Sequence, residues 1–294
     1  MRTRAFAASL AALALMSCQA DQAVPDEQAS YPALWEIADE TGAAEGWLFG
    51  TLHALPPELE WRSAEFDRVA AMAPLLVVEV SGLDDRRTLE SLFRTMAYDA
   101  APAIPIAERL NASQRQRLSA VLGDAGLDAR SLDPMESWAA ALAIAELGRT
   151  NSSDHGADRI LLEEFAGREI FELEGAEPQL SIFNDLPEAE QRDLLVAVVE
   201  EVAKPESKRT NLAAIWSSGD LDELQEITRQ GMLADPELRD ALLVRRNKAW
   251  AAQIENLLSA SPKPLIAVGA GHLLGEDGVP ALLEARGYTV RRIQ

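Results

Sequence analysis

The sequence predicts an α/β fold: a central mixed β-sheet flanked by helices, with a large, mostly helical middle region. Three observations carry that reading. Short apolar runs of strand type stand near both ends of the chain, "ALWEIA" and "WLFGTL" within 33–52, "PLLVVEV" at 74–80 and "PLIAVG" at 264–269. Between about 84 and 258 the spacing of apolar residues is mainly helical. The chain closes in "KPLIAVGAGHLLGEDGVPALLEARGYTVRRI", which reads as strand, glycine-rich turn, helix and strand.

Taken in order, Ala33–Ala38 and Trp47–Leu52 predict a β-hairpin whose turn carries Gly42 and Gly46. "PPELEWRSAEFDRVAAMA" opens on prolines and spaces Trp61, Phe66, Val69 and Met72 for a helix. "PLLVVEVSG" is continuous and apolar, the pattern of a strand covered on both faces, and it ends in Glu79. "MESWAAALAIAELG" is the most apolar helical piece, but it is short and contains Glu136 and Glu146, so it predicts a core helix, not a membrane span. "REIFELEG" reads as a strand ending in Glu172 and Glu174, followed by helices at 187–202, 210–217, 221–230 and 236–258.

Residues 1–18, "MRTRAFAASLAALALMSC", have two arginines, an apolar stretch and small residues before Cys18, the layout of a secretory signal. "LMSC" resembles a bacterial lipoprotein cleavage box, with Cys18 as the lipidated first mature residue. Cys18 is the one cysteine, so no intramolecular disulfide forms. Residues 19–32 read as a flexible polar tether and 33–294 as the folded body. The expected location is the bacterial cell envelope, lipid-anchored, facing the periplasm, on the outer membrane because no aspartate follows Cys18; without lipidation the chain is a secreted periplasmic protein. A net charge of −21 argues against nucleic acid as a partner.

The chain has 3 histidines, and two of them close the same shape, Gly50-x-x-His53 and Gly269-x-x-His272. Each pattern ends a predicted strand, where ligands bind in open α/β sheets and where glycine permits a tight turn or a close approach. If those strands share a sheet, His53 and His272 converge and Glu79 joins them from the same rim. Two imidazoles and a carboxylate suit a divalent metal with an open position for water, and hydrolysis is the matching reaction class. The plainer alternatives are structural histidines and a buried Glu79 satisfied by an arginine. His155, in "RTNSSDHGADR", reads as a solvated loop residue, and Asp158 as a helix N-cap. "RRNKAW", read without further context, is a solvated helix face.

"LFGTLHALP", "LLVVEV", "GADRILLEEFAGREIFELEGAEPQL", "IWSSGDLDEL", "LVRRNKAWAAQIENLL" and "PLIAVGAGHLLGEDGVPALLEARGYTV" occur in the order of the TraB/GumN family, which this chain resembles from about Leu34 to Gln294. That family is related to the Tiki metalloproteases and, more distantly, to erythromycin esterases and ChaN haem-binding lipoproteins. The resemblance implies a metal-dependent, peptidase-like hydrolase acting on a peptide or small molecule, with manganese, cobalt or zinc held by His53, Glu79 and His272. Glu79 is then a third ligand or the general base. It adds Arg246 and Asn247 to the site, with Gly50, Gly269, Asp158, Glu174 and Gln179 in support. Where the family often has threonine after the glutamate matching Glu174, this chain has Gly175. The relatives also imply an alternative, a haem-, metal- or ligand-binding lipoprotein without catalysis.

The lipidation reading predicts that Cys18→Ala moves the chain from the membrane fraction to the soluble periplasmic fraction and abolishes incorporation of labelled fatty acid; labelling that survives the substitution would refute it.

Overall fold

In a computed structural model of the protein, residues 31–83, 85–98, 104–149, 151–260 and 263–294 are described. The expected signal segment and Cys18 lie outside the described residues. Six strands, β1 (Leu34–Ala38), β2 (Ala44–Thr51), β3 (Leu75–Val78), β4 (Glu169–Glu172), β5 (Leu265–Gly269) and β6 (Thr289–Arg292), form one sheet in the order β4-β3-β5-β2-β1-β6. β4, β3, β5 and β2 pair in parallel, while β1 runs antiparallel to β2 and β6, so the sheet is mixed as expected.

Period-two alternation assigns each strand residue to a face. Trp47, Phe49, Leu76, Val78, Leu265 and Ala267 belong to one core; Trp35, Ile37, Leu48, Leu75, Val77, Ile266 and Val268 belong to another. Helices α1 (Ala64–Met72), α5 (Ala157–Glu164), α8 (Leu212–Ser218) and α9 (Leu221–Ile227) cover the first face, where Phe66, Leu161, Trp216 and Leu224 enter the core. On the second face lie α11 (Arg245–Ala260) and α12 (Val279–Glu284), through Trp250, Ile254, Leu258 and Leu283. A third, separate core gathers residues of α2 (Arg86–Ala97), α3 (Ala112–Asp124), α4 (Ser137–Leu147), α6 (Ala176–Asn184), α7 (Glu188–Val202) and α10 (Pro236–Arg239). Among the described residues no helix is long and apolar enough to cross a membrane. The apolar α4 is instead buried, with Trp138 and Ile144 at 0% exposure.

Three expectations are corrected. The helix expected from Pro56 starts only at Ala64, because Ser63 caps it by accepting from Phe66 N; Trp61 reaches the core from the preceding loop, its spacing to Phe66 notwithstanding. The helix expected over 236–258 is divided: α10 passes into a π-helical turn, Asp240–Val244, before α11. Helix α6 was not expected. Gly175, at φ 88°, turns the chain out of the β4 segment into it, and its weak apolar periodicity hid it from pattern reading.

Trp216, 2% exposed, donates from Nε1 to the Gly50 carbonyl at 2.7 Å and so ties α8 to the end of β2. Trp216→Phe removes the donor from a buried carbonyl and is expected to lower unfolding stability by about 1–3 kcal/mol in urea denaturation; an unchanged midpoint would mean that this bond holds nothing.

Candidate functional site

The parallel strands bring the separate patterns to one rim. β2 and β5 are neighbours, with Gly50 opposite Val268 and Thr51 opposite Gly269, and β3 lies on the other side of β5. His53 follows the end of β2, Glu79 follows the end of β3, and His272 lies in a 3-10 turn, Ala270–Leu273, after β5. The glycines have steric reasons. A side chain at Gly50 would meet Ala270 Cα at 3.0 Å, and one at Gly269 would meet Glu79 Oε1 at 3.2 Å.

Glu79 is the centre. Its side chain is 9% exposed, and both oxygens are engaged. Oε1 accepts from Gly269 N at 2.8 Å; Oε2 accepts from Arg246 Nη2 at 2.6 Å and from Gln179 Nε2 at 2.9 Å. Burial by itself would push its pKa up. The charges of His272, Arg246 and His53, with the Gly269 N–H, outweigh burial and hold it at about 2. His272 is itself neutral at neutral pH, so Arg246 is the standing counter-charge.

Arg246 serves two carboxylates. Nε and Nη2 form a fork on Glu174 at 2.8 and 2.9 Å, Nη2 also reaches Glu79, and Nη1 donates to the Leu242 carbonyl at 3.0 Å, inside the π turn. Burial works against its charge, but Glu174 and Glu79 prevail and its pKa is raised. Trp250 donates from Nε1 to Glu174 Oε1 at 3.0 Å and lies under the guanidinium, 4.7 Å from it. The "RRN" segment is therefore divided: Arg245 is exposed on Asp240, while Arg246 and Asn247 face the interior, so the solvated-face reading fails for these two.

The hydrogen bonds fix the tautomer of His272. Asn247 must donate from Nδ2 to the Asp277 carbonyl, at 2.8 Å, so its Oδ1 accepts from His272 Nδ1–H at 2.6 Å. Nε2 then carries the lone pair. It lies 4.0 Å from Glu79 Oε1 and accepts from Arg246 Nη1 at 3.1 Å. Burial lowers the His272 pKa to about 3. His53 has the opposite setting. Its imidazole is 64% exposed, and Nδ1 lies 3.2 Å from Asp158 Oδ2. That hydrogen bond, more than the charge of Asp158, raises its pKa to about 9; water at the open face of the ring screens part of the effect.

Asp158 is in the first turn of α5, whose N-cap is Gly156, so its partner is His53 and not the helix end. α5 docks on the His53 loop: Ala157 N donates to the Leu52 carbonyl at 2.9 Å, and a side chain at Gly156 would meet His53 O at 2.4 Å. Thr51, His53, Glu79, Leu83, Asp158 and Gln179 line one small cleft. A second small pocket, lined by Trp35, Gly50, Trp216, Leu224 and Leu274, carries no titratable side chain. Gly175 uses its positive φ to bring two N–H groups, its own at 3.0 Å and that of Glu174 at 3.2 Å, onto the Glu79 carbonyl. His155 is exposed and outside the cleft.

Sequence reasoning without the resemblance missed Arg246, Asn247, Trp250 and Gly156. Helical spacing gave no sign that Arg246 and Asn247 are buried, and Gly156 is marked only by its place just before Asp158.

As a metal site the donor set fits in kind. Both imidazoles present Nδ1 to an oxygen acceptor, the arrangement that orients a ligating histidine and leaves Nε2 for a metal. Among the described residues, however, no three such side chains stand grouped to hold an ion, and at His272 the Nε2 lone pair is already occupied by Arg246.

The pKa displacements give a pH dependence whose sign is fixed. His272 takes a proton near 6.5 when unfolded and only near 3 when folded, and Glu79 near 4.5 when unfolded and 2 when folded. In both intervals the unfolded chain binds more protons, so stability falls as pH falls, beginning near 6.5. His272→Gln is expected to flatten the loss of stability between about pH 7 and pH 5 relative to the parent, read as urea midpoints; identical slopes would refute the buried neutral imidazole.

No curated protein and no solved structure matches the chain significantly. A model of the TraB/PrgY/gumN family matches residues 33–292, which take in both Gly-x-x-His patterns, Glu79 and the Arg246–Asn247 segment. The chain with its paired histidine loops around a buried glutamate belongs to the TraB/PrgY/gumN family.

Proposed function

We propose that the protein is a metal-dependent hydrolase, peptidase-like, working at the cleft between His53, Glu79 and Asp158, as an envelope lipoprotein facing the periplasm. The observation that carries this reading is the matched setting of the two imidazoles: Asp158 and Asn247 each take Nδ1, which leaves Nε2 of each ring as the candidate ligand atom at the rim where Glu79 is held ionised. His53, Glu79 and His272 would hold the ion. A divalent ion bound there lowers the pKa of a water and polarises a carbonyl.

The chain's own groups supply the rest. Glu79, held ionised, is a ligand or the base that accepts a proton from water. His53 is held in place by Asp158 on a face that is open to solvent. Asp158 Oδ1 is buried without a hydrogen-bond donor, while Oδ2 meets His53.

The test is made on purified protein, stripped of metal and then given manganese, cobalt or zinc. The parent is expected to bind the ion and to cleave members of a peptide library. His53→Ala and His272→Ala should lose the ion in elemental analysis, and Glu79→Gln should lower the cleavage rate about 100-fold or more. Retention of the ion by both histidine variants, with native circular dichroism, would overturn the metal assignment. Binding without cleavage of any substrate would turn the reading to a metal- or ligand-binding lipoprotein.

A further inference from the structure

The Nε2 atom of His272 has one lone pair, and in this structure Arg246 Nη1 occupies it at 3.1 Å. We infer that Arg246 is an internal cation standing in for the metal, and that ion binding at His272 and the Arg246–His272 contact exclude each other. The inference rests on the metal reading above and deepens it by naming what governs entry of the ion.

Three features of the surroundings make Arg246 suited to this. It is held by more than the contact it must give up: the fork on Glu174 uses Nε and Nη2, whereas the link to His272 uses Nη1 alone. Nη1 keeps a second acceptor, the Leu242 carbonyl, when it leaves the imidazole. Leu242 lies in the π turn that leads into α11, and a single π turn within a helix is frequent where the helix serves a site. Charge balance points the same way. Glu79 and Glu174 bring two negative charges into a buried space, Arg246 brings one positive charge, and a divalent ion entering beside them no longer needs the guanidinium against Glu79. The metal-free protein thus keeps its buried carboxylates paired, and the ion must displace a folded-in competitor to bind.

The experiment uses the full chain, metal-free, titrated with zinc or manganese. In Arg246→Gln, zinc affinity by calorimetry is expected to rise roughly tenfold or more over the parent. Arg246→Lys, which keeps the charge but cannot hold Glu174 and cap His272 together, should fall between. Metal-free Arg246→Gln should also melt below the parent, with the gap narrowing when zinc is added. In the parent, nitrogen-15 spectra should show the His272 Nε2 and Arg246 guanidinium signals shifting together at one zinc midpoint. Equal or weaker zinc affinity in Arg246→Gln, or an Arg246 signal unmoved while His272 saturates, overturns the inference and leaves the metal reading standing. Absence of zinc and manganese binding in the parent and both Arg246 variants overturns the metal reading itself, and the inference with it.

Discussion

The structure depends on keeping one buried carboxylate charged. Glu79 follows the end of strand β3 at 9% side-chain exposure, where an ionised group stripped of water is costly unless each oxygen is met. Meeting them recruits distant parts of the chain: the Gly269 N–H at the end of β5, Gln179 on α6 and Arg246 on α11. Arg246 in turn needs Glu174, and Glu174 takes a further bond from Trp250. Removing one member leaves a buried charge alone, at a cost of about 3–5 kcal/mol in comparable ion pairs. The sheet edge, α6 and α11 are therefore locked to one another by electrostatics as well as by apolar packing.

That dependence explains why parts of the fold were plain in the sequence and others were not. The strands announce themselves because a residue covered on both faces must be apolar, and "LLVV" and "LIAV" are. The strand ends, and with them His53, Glu79 and His272, follow from those runs. Helix α6 does not: among its residues none is fully buried, so no strong stripe marks it, and its role is carried by one polar side chain, Gln179. Trp61 was misplaced because helical spacing to Phe66 is equally available to a loop that folds back on the same core.

The site divides in the same way. Identity and strand position were enough for the two histidines and the glutamate. Partnerships were not, because they join residues far apart: Asp158 with His53, Arg246 with Glu79, Asn247 with His272. Arg246 and Asn247 came only from the family resemblance, since a helix bearing Arg245, Arg246 and Lys248 has the composition of a solvated face. Of the expected meanings of Glu79, the plainer one is what the structure shows: a buried carboxylate satisfied by an arginine.

The two Gly-x-x-His loops are alike in backbone position, but their imidazoles are shifted in opposite directions. His53, exposed and beside Asp158, is driven toward the imidazolium, about 9; His272, buried between Asn247 and Arg246, is driven toward the neutral base, about 3. A repeated motif therefore sets where an imidazole stands, and its neighbours set what it is. Groups of one type whose environments separate their proton affinities are suited to different steps of acid–base chemistry. On the proposed hydrolytic reading, His272 is confined to offering a lone pair, because burial strips water from its imidazolium and disfavours the charged form. His53 is the one of the pair that water can reach, and Asp158 holds its ring in place. The neutral histidine is also the one that Arg246 can cap, so the pKa difference and the contest for the Nε2 lone pair have a single origin in the burial of His272.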